Sequence, residues 1–274
     1  MNRFKMICLD IDGTLLNSNH KISEEVKNTI KKAVNQNQTQ VILVSARMPK
    51  GIVFLQKELE IKQPIICYSG ALILDEDGNI LLKKFINILS LEEIYRFTSE
   101  LKIHMSLYKD NQWYVEEMDE WVKQESYITN IIPTIMKFGD LIELWKKGNT
   151  GPNKILCMAR PNEINILKEN IKGDNLNIYP SKATYLEIMP SEASKTSAIN
   201  CLQKKFHIEK SDIIAIGDNY NDIDMIKYAG VGIAMGNAPD DVKKYADDIT
   251  STNDEDGVAK AIKKYILTRP NDAQ

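Results

Sequence analysis

Short apolar runs alternate along this chain with stretches whose apolar residues recur every three or four positions. Met6-Ile7-Cys8-Leu9 reads as a strand, and Ser23 to Asn35 as a helix, with Ser23 as its N-cap and Val26, Ile30 and Val34 on one stripe. Val41-Ile42-Leu43-Val44 and Ile65-Ile66-Cys67-Tyr68 are two more runs of strand length. Uninterrupted runs of this kind suit parallel strands covered on both faces. Near Leu72 the pattern changes. Leu72-Ile73-Leu74, then Asp75-Glu76-Asp77-Gly78-Asn79, then Ile80-Leu81-Leu82 predict a hairpin around a turn-rich loop.

From about Lys83 to Pro190 the segments are less uniform, and all three tryptophans fall there. A helix is expected over Leu91 to Leu101, paired strands over Met105 to Tyr108 and Trp113 to Val115, and a strand over Lys154 to Ala159. Pro161 to Ile171 reads as a helix with proline in its first turn. After Pro190 the α/β rhythm returns. Helices are expected over Ala193 to Phe206 and Asp222 to Lys227, strands over Asp212 to Ile216 and Val231 to Ala234, and a last helix from about Asp254 to Leu267. The tail Arg269 to Gln274 is expected to be loose. The pattern predicts an α/β fold: one doubly wound, parallel-sheet domain built from residues 1–82 and 191–274, interrupted by an inserted domain over 83–190.

Composition changes this picture mainly by exclusion. With 274 residues and 43% of them hydrophobic, the chain can bury a sizeable core. A net charge of −3 does not suit a nucleic-acid or acidic-membrane binder. The basic pairs Lys31-Lys32, Lys146-Lys147 and Lys204-Lys205 read as solvated faces. No apolar run approaches the ~20 residues that span a bilayer. The first apolar stretch is too short for a signal peptide and ends in acids, so a cytoplasmic location is expected. Cys8, Cys67, Cys157 and Cys201 lie far apart and read as reduced, packed side chains, and the three histidines show no metal-binding spacing. The assembly state has no signature in the sequence.

The candidate chemistry lies where strands of an open α/β sheet end. Asp10 and Asp12 follow the first strand, Ser45-Ala46-Arg47 the second, and Gly217-Asp218-Asn219-Tyr220-Asn221-Asp222 the strand ending at Ile216, while Lys195 opens a helix. Each alone reads as well as a turn, a cap or a surface lysine. Their conjunction does not. Clustered carboxylates from Asp10, Asp218 and Asp222 repel unless a cation neutralises them. No histidine or cysteine accompanies them, so the ion should be hard, which points to Mg²⁺. Asp10 can attack phosphorus and form an aspartyl-phosphate. Asp12 can protonate the leaving oxygen and then activate water. Ser45, Thr14 and backbone N–H groups can hold phosphate oxygens, and Lys195 offsets charge on the nucleophile and the phosphoryl group.

Asp10-Ile11-Asp12-Gly13-Thr14 resembles the first motif of the haloacid dehalogenase-like (HAD) hydrolase superfamily. Ser45 resembles its second motif, Lys195 its third, and Gly217 to Asp222 its fourth. Gly232-Ile233-Ala234-Met235-Gly236-Asn237-Ala238-Pro239 and Asn253-Asp254-Glu255-Asp256-Gly257-Val258-Ala259 resemble its Cof-type, subclass IIB branch. The resemblance implies a Rossmann-like core with an inserted α+β cap of the C2B type. It implies a Mg²⁺-dependent phosphatase acting on small phosphate esters, such as sugar phosphates or phosphorylated cofactors, with no nucleic-acid or membrane partner. Asp10 would be the nucleophile and Asp12 the acid and base. The metal would be held by the Asp10 carboxylate, the Asp12 backbone carbonyl and Asp218, with Asp222 behind them. Ser45 and Lys195 would bind the phosphoryl group, while Gly13, Thr14, Ala46, Arg47 and Asn221 would help place substrate or loop.

Two positions depart from the family pattern. Ala46 stands where glycine is usual, and Ser69 in Ser69-Gly70-Ala71 stands where asparagine is usual. The cap is expected to close over the site about hinges near Leu82 to Phe85 and Met189 to Ser191, with Pro190 stiffening one of them, and to carry substrate choice. Lys182, Tyr185, Glu187, Trp113 and Tyr114 are polar or aromatic enough to contribute, although packing explains each of them as well. A receiver-type signalling switch would be much shorter. A phosphomutase, the main alternative, commonly carries its cap between the first two motifs, and too few residues separate Asp12 from Ser45 for that. A non-catalytic phosphometabolite binder would have little need of Asp12.

Overall fold

The computed structural model describes residues 4–268. The tail Arg269 to Gln274 lies outside them. In chain order the strands are β1 (Met6–Asp10), β2 (Gln40–Val44), β3 (Ile65–Cys67), β4 (Leu72–Leu74), β5 (Ile80–Lys83), β6 (His104–Lys109) and β7 (Gln112–Val115). They continue with β8 (Thr134–Ile135), β9 (Lys154–Met158), β10 (Leu176–Lys182), β11 (Tyr185–Pro190), β12 (Ile213–Gly217), β13 (Val231–Ala234) and β14 (Asp248–Ile249). The described residues form two compact units. The first takes those up to Ala46, Ile52–Leu81 and those from Lys195 onward; the second takes Arg47–Gly51 and Leu82–Ser194.

The first unit is built on an eight-stranded sheet ordered β14-β13-β12-β1-β2-β3-β4-β5. From β14 to β3 every neighbouring pair is parallel; β4 turns antiparallel to β3. All residues of β1 and β12 are buried, which is why both read as uninterrupted apolar runs. The chain steps one way from β1 to β2 and β3, and the other way from β12 to β13 and β14. The reversal falls between β1 and β12, where Leu9 pairs with Ile216. The crevice beyond the carboxyl ends of two such strands is where an open α/β sheet receives its ligand.

Local chemistry accounts for the elements that the pattern predicts. The helix Glu24–Asn37 starts where the Ser23 side chain accepts from the Val26 N–H, and ends where Gln38 turns left-handed. The hairpin loop closes on Asp75, whose N–H donates to the Asn79 carbonyl and whose carboxylate accepts from the Asp77 and Asn79 N–H groups. The helix Lys195–Phe206 begins two residues later than the pattern suggests, because the Ala193 N–H closes a turn on the Pro190 carbonyl. The predicted last helix is broken. A 3₁₀ turn over Asn253–Glu255 leads to Asp256 at φ 58°, then a helix Gly257–Ile262 and a π-helical turn Lys263–Leu267.

The second unit carries a six-stranded sheet ordered β10-β11-β9-β6-β7-β8. Leu91 and Ile94 from the helix Ile88–Leu101, Phe138, Leu141 and Trp145 from Phe138–Lys147, and Leu167 from Pro161–Asn170 pack against Ile155, Cys157, Leu186 and Ile188 of the sheet. The fully buried Asn153 ties this unit together: its side-chain oxygen accepts from the Asp110 N–H and its amide donates to the Lys84 carbonyl. The Lys50 N–H donates to Asn111, so 47–51 groups with this unit. Cys8, Cys67 and Cys157 are buried free thiols, and burial pushes all three up in pKa. Among the described residues, no helix is long and apolar enough to cross a membrane.

Candidate active site

Asp10 is the last residue of β1 and is 7% exposed. The Lys195 ammonium, almost wholly buried, donates to Asp10 Oδ1 and to Asp222 Oδ1, both at 2.5 Å. The second oxygen of Asp222 accepts from the Asp218 and Asn219 N–H groups at 3.1 and 3.0 Å. Asp218 Oδ1 accepts from the Thr14 hydroxyl at 2.7 Å. One oxygen from each of Asp10, Asp218 and Asp222 lies within 4.8 Å of the others. Residues from both chain ends therefore converge where β1 and β12 end.

Two glycines make this approach possible. Gly13 has φ +84°, and a Cβ there would lie 2.4 Å from Asp218 Oδ2. A Cβ at Gly217 would lie 2.6 Å from the Asp222 side chain. The Asn219 side chain accepts from the Tyr220 N–H, which starts the 3₁₀ turn Tyr220–Asp222 and aims Asp222 inward.

Charge is unbalanced at this place. Three carboxylates face one ammonium, leaving two negative charges uncompensated. Burial raises Asp10 well above the usual carboxylate range, Asp222 adds to this, and Lys195 opposes it. Burial also pushes Asp218 up to about 6, helped by Asp222 and opposed by the Thr14 hydroxyl. Burial alone would lower Lys195, but Asp10 and Asp222 outweigh it and hold the ammonium above its ordinary value. An all-oxygen donor set with a charge of −2 fits a hard divalent cation. Asp222 has both oxygens engaged by protein donors, so Asp10 and Asp218 are the carboxylates better placed to be ligands.

The other predicted residues fall as follows. Asp12 is exposed on the loop after β1, paired through its backbone with Leu16. Ser45 is buried at the end of β2; its N–H donates to the Ile66 carbonyl, and its carbonyl accepts from the Ser69 N–H. Ala46 is not among the residues of positive φ, so alanine stands there without strain. Tyr68, Ser69 and Gly70 all have positive φ, and the buried Ser69 hydroxyl has no partner. Arg47 belongs to the segment grouped with the second unit. Asn221 is exposed on its turn.

The sequence reading gave no individual role to two side chains that hold the loop after β1. Asn237 donates to the Gly13 carbonyl, and Asn253 donates to the Leu16 carbonyl, each at 2.9 Å. Both lie in the stretches that carry the branch resemblance; that was the available signal.

The sequence model of the haloacid dehalogenase-like hydrolases matches residues 7–262. The chain belongs to that family. Among its relatives is a putative phosphatase of Haemophilus influenzae, 34% identical over 93% of this chain and 96% of the relative. A 5-amino-6-(5-phospho-D-ribitylamino)uracil phosphatase of Bacillus subtilis is 30% identical over 96% of each. The crystal structure of a haloacid dehalogenase-like hydrolase from Bacteroides thetaiotaomicron superposes with a TM-score of 0.87, at 30% identity, covering 95% of this chain and 99% of that one. This HAD-like hydrolase is thus an enzyme of the phosphatase kind, with the mixed α/β fold of its family.

Proposed function

We propose that this hydrolase is a Mg²⁺-dependent phosphatase that cleaves small phosphorylated metabolites through an aspartyl-phosphate on Asp10. One observation carries the reading: a buried carboxylate at the end of β1, held by Lys195, lies two residues before an exposed second acid. Asp10 Oδ bonds to phosphorus as the ester P–O bond breaks, and Asp12 gives its proton to the leaving oxygen. Asp12, now a carboxylate, takes a proton from water; the oxygen of that water attacks phosphorus, freeing Asp10 and inorganic phosphate. Lys195 favours the ionised form of Asp10 against its burial and orients it, while Ser45 and the loop N–H groups after Asp10 bind phosphoryl oxygens. Asp10, Asp218 and the Asp12 carbonyl would hold Mg²⁺, which would supply the positive charge that the cluster lacks and that the transferring phosphoryl group needs.

The second unit is read as the inserted α+β cap of the C2B type, and substrate choice is assigned to it. The activity of the B. subtilis relative makes phosphorylated ribityl compounds the first class to test, with sugar phosphates beside them. The test is phosphate release from a panel of phosphorylated sugars, nucleotides and cofactors, with Mg²⁺ and with EDTA, by wild type and Asp10→Asn. Turnover by wild type alone, abolished by EDTA, is expected. Equal turnover by Asp10→Asn removes Asp10 as the nucleophile.

A further inference from the structure

Asp12 must point its carboxyl at a leaving oxygen, yet it sits exposed on a loop of mixed geometry. Something has to fix that loop. Within it the Leu16 N–H donates to the Ile11 carbonyl at 2.9 Å, and Asp12 forms a bridge with Leu16. These contacts shape the loop but do not anchor it to the rest of the unit. Among the described residues, three side-chain contacts reach across to the part around Asp12. The Thr14 hydroxyl donates to Asp218, Asn237 donates to the Gly13 carbonyl, and Asn253 donates to the Leu16 carbonyl. The two asparagines are themselves joined, because the Asn253 N–H donates to Asn237 Oδ1 at 3.0 Å. The carbonyls they grip belong to the residue after Asp12 and to the residue bridged to it.

We propose that Asn237 and Asn253 form a clamp that orients Asp12 as the acid and base, so that both are positioning residues for catalysis. This rests on the phosphatase reading given above. Neither is buried, and neither lies in the four motifs that mark the reacting groups. Farther along the same loop, Ser18 donates to Asp254 and Ser23 to Asp256. Those contacts hold the loop to the same C-terminal stretch without gripping the residues around Asp12, which makes them a natural control.

A misplaced general acid has a signature that lost stability lacks. It slows esters whose leaving oxygen needs a proton, such as an alkyl or sugar phosphate, and spares p-nitrophenyl phosphate, whose leaving group departs as an anion. The experiment measures kcat and KM on both esters, with Mg²⁺, and the melting temperature, for wild type, Asn237→Ala, Asn237→Asp, Asn253→Ala and Asp254→Asn. Because a general acid supplies about 10²–10⁴ of rate, kcat/KM on the sugar phosphate, which covers the steps up to the aspartyl-phosphate, should fall by about tenfold or more in the three asparagine variants, with less than about threefold on p-nitrophenyl phosphate. By contrast, kcat also includes the later step in which Asp12 is the base and can fall on both esters. Asn237→Asp keeps the shape and the acceptor for Asn253 but removes the donor to Gly13, so it should behave like Asn237→Ala. Asp254→Asn should keep the wild-type ratio between the two esters. Unchanged kcat/KM on both esters in the asparagine variants, or an equal loss of kcat/KM on both, overturns the clamp alone. A wild type that releases no phosphate from either ester overturns the phosphatase reading and the clamp with it.

Discussion

Each unit of this protein buries a lysine against carboxylates, and the two arrangements differ in one respect. In the second unit Lys154 meets Glu187 at 3.1 Å, both side chains 10% exposed, with the Tyr108 ring beneath the ammonium at 5.3 Å. One positive charge faces one negative charge. In the first unit Lys195 serves two carboxylates, with Asp218 as a third, so two negative charges remain. Burying charge is costly in both places. In the balanced pair the partner repays that cost within the fold. In the unbalanced cluster two negative charges are left that a cation could offset. Imbalance of buried charge, more than burial itself, separates the site from the scaffold here.

The largest effect should come from Asp10→Asn. Phosphate release should fall by at least about a thousandfold, because the nucleophile is gone. The melting temperature in EDTA should not fall, since one repelling charge has been removed. A large loss of stability in this variant would mean the cluster is structural after all. In the second unit the opposite holds. Glu187→Ala removes the carboxylate that faces the buried Lys154 ammonium and should destabilise by about 3 kcal/mol in urea unfolding, whereas Lys154→Met with Glu187→Leu should come close to wild type. A double variant as unstable as the single one would break the contrast.

Metal and pH sharpen the comparison further. Mg²⁺ in about hundredfold excess over its Kd should raise stability by about 2.7 kcal/mol, and by less at pH 5, where protons compete for Asp10 and Asp218. With EDTA the two units should respond to pH with opposite signs. Asp10 and Asp218 are raised in the folded state by burial, so the folded state binds protons there more tightly than the unfolded chain does. Stability from them is greatest at low pH and is lost as pH rises through about 6 at Asp218. His104, between Asp119 and Ser106, is lowered by burial against the pull of Asp119. Its contribution is present above the ordinary histidine pKa and is lost as pH falls below it. Hydrogen exchange at pH 5 and pH 7.5 should therefore show the second unit loosening at the acid end and the first unit loosening at the neutral end. The same trend in both units would refute the assignment. The smallest effect is Gly13→Ala. The left-handed φ and the contact with Asp218 should lower activity by about tenfold with about 1–2 kcal/mol of destabilisation.

Much of the fold was legible because its signals are local. Ser23 before an apolar stripe, Asp75 in its turn and Pro161 at a helix start each act within a few residues. The parts that were missed have identifiable causes. The hairpin of β10 and β11 is obscured by Pro180, beside which the pairing register shifts. The helix Pro49–Leu59 carries Gly51 in its first turn, and β14 is only two residues long. The last helix was over-extended because Asp256 leaves helical geometry in a loop whose partner, Ser23, is more than two hundred residues away in sequence. At the site, the acids following β1 and β12 were legible as strand-end carboxylates. Lys195 was not, except through the company it keeps, since a single lysine at a helix start is usually solvated.

The sequence by itself determined which residues can do chemistry here, because residue type fixes charge, donor set and nucleophilicity, and because strand-end motifs place them at one edge of a sheet. It also determined the α/β rhythm that builds that sheet. Only the tertiary structure decided that Lys195 stands between Asp10 and Asp222, that Asp222 spends both oxygens on protein donors, and that Asn237 and Asn253 grip the loop carrying Asp12. Those are contacts between groups far apart along the chain. Their distances follow from the packing of β1 beside β12 and from two glycines that let backbone and carboxylate come close, and no local pattern encodes them.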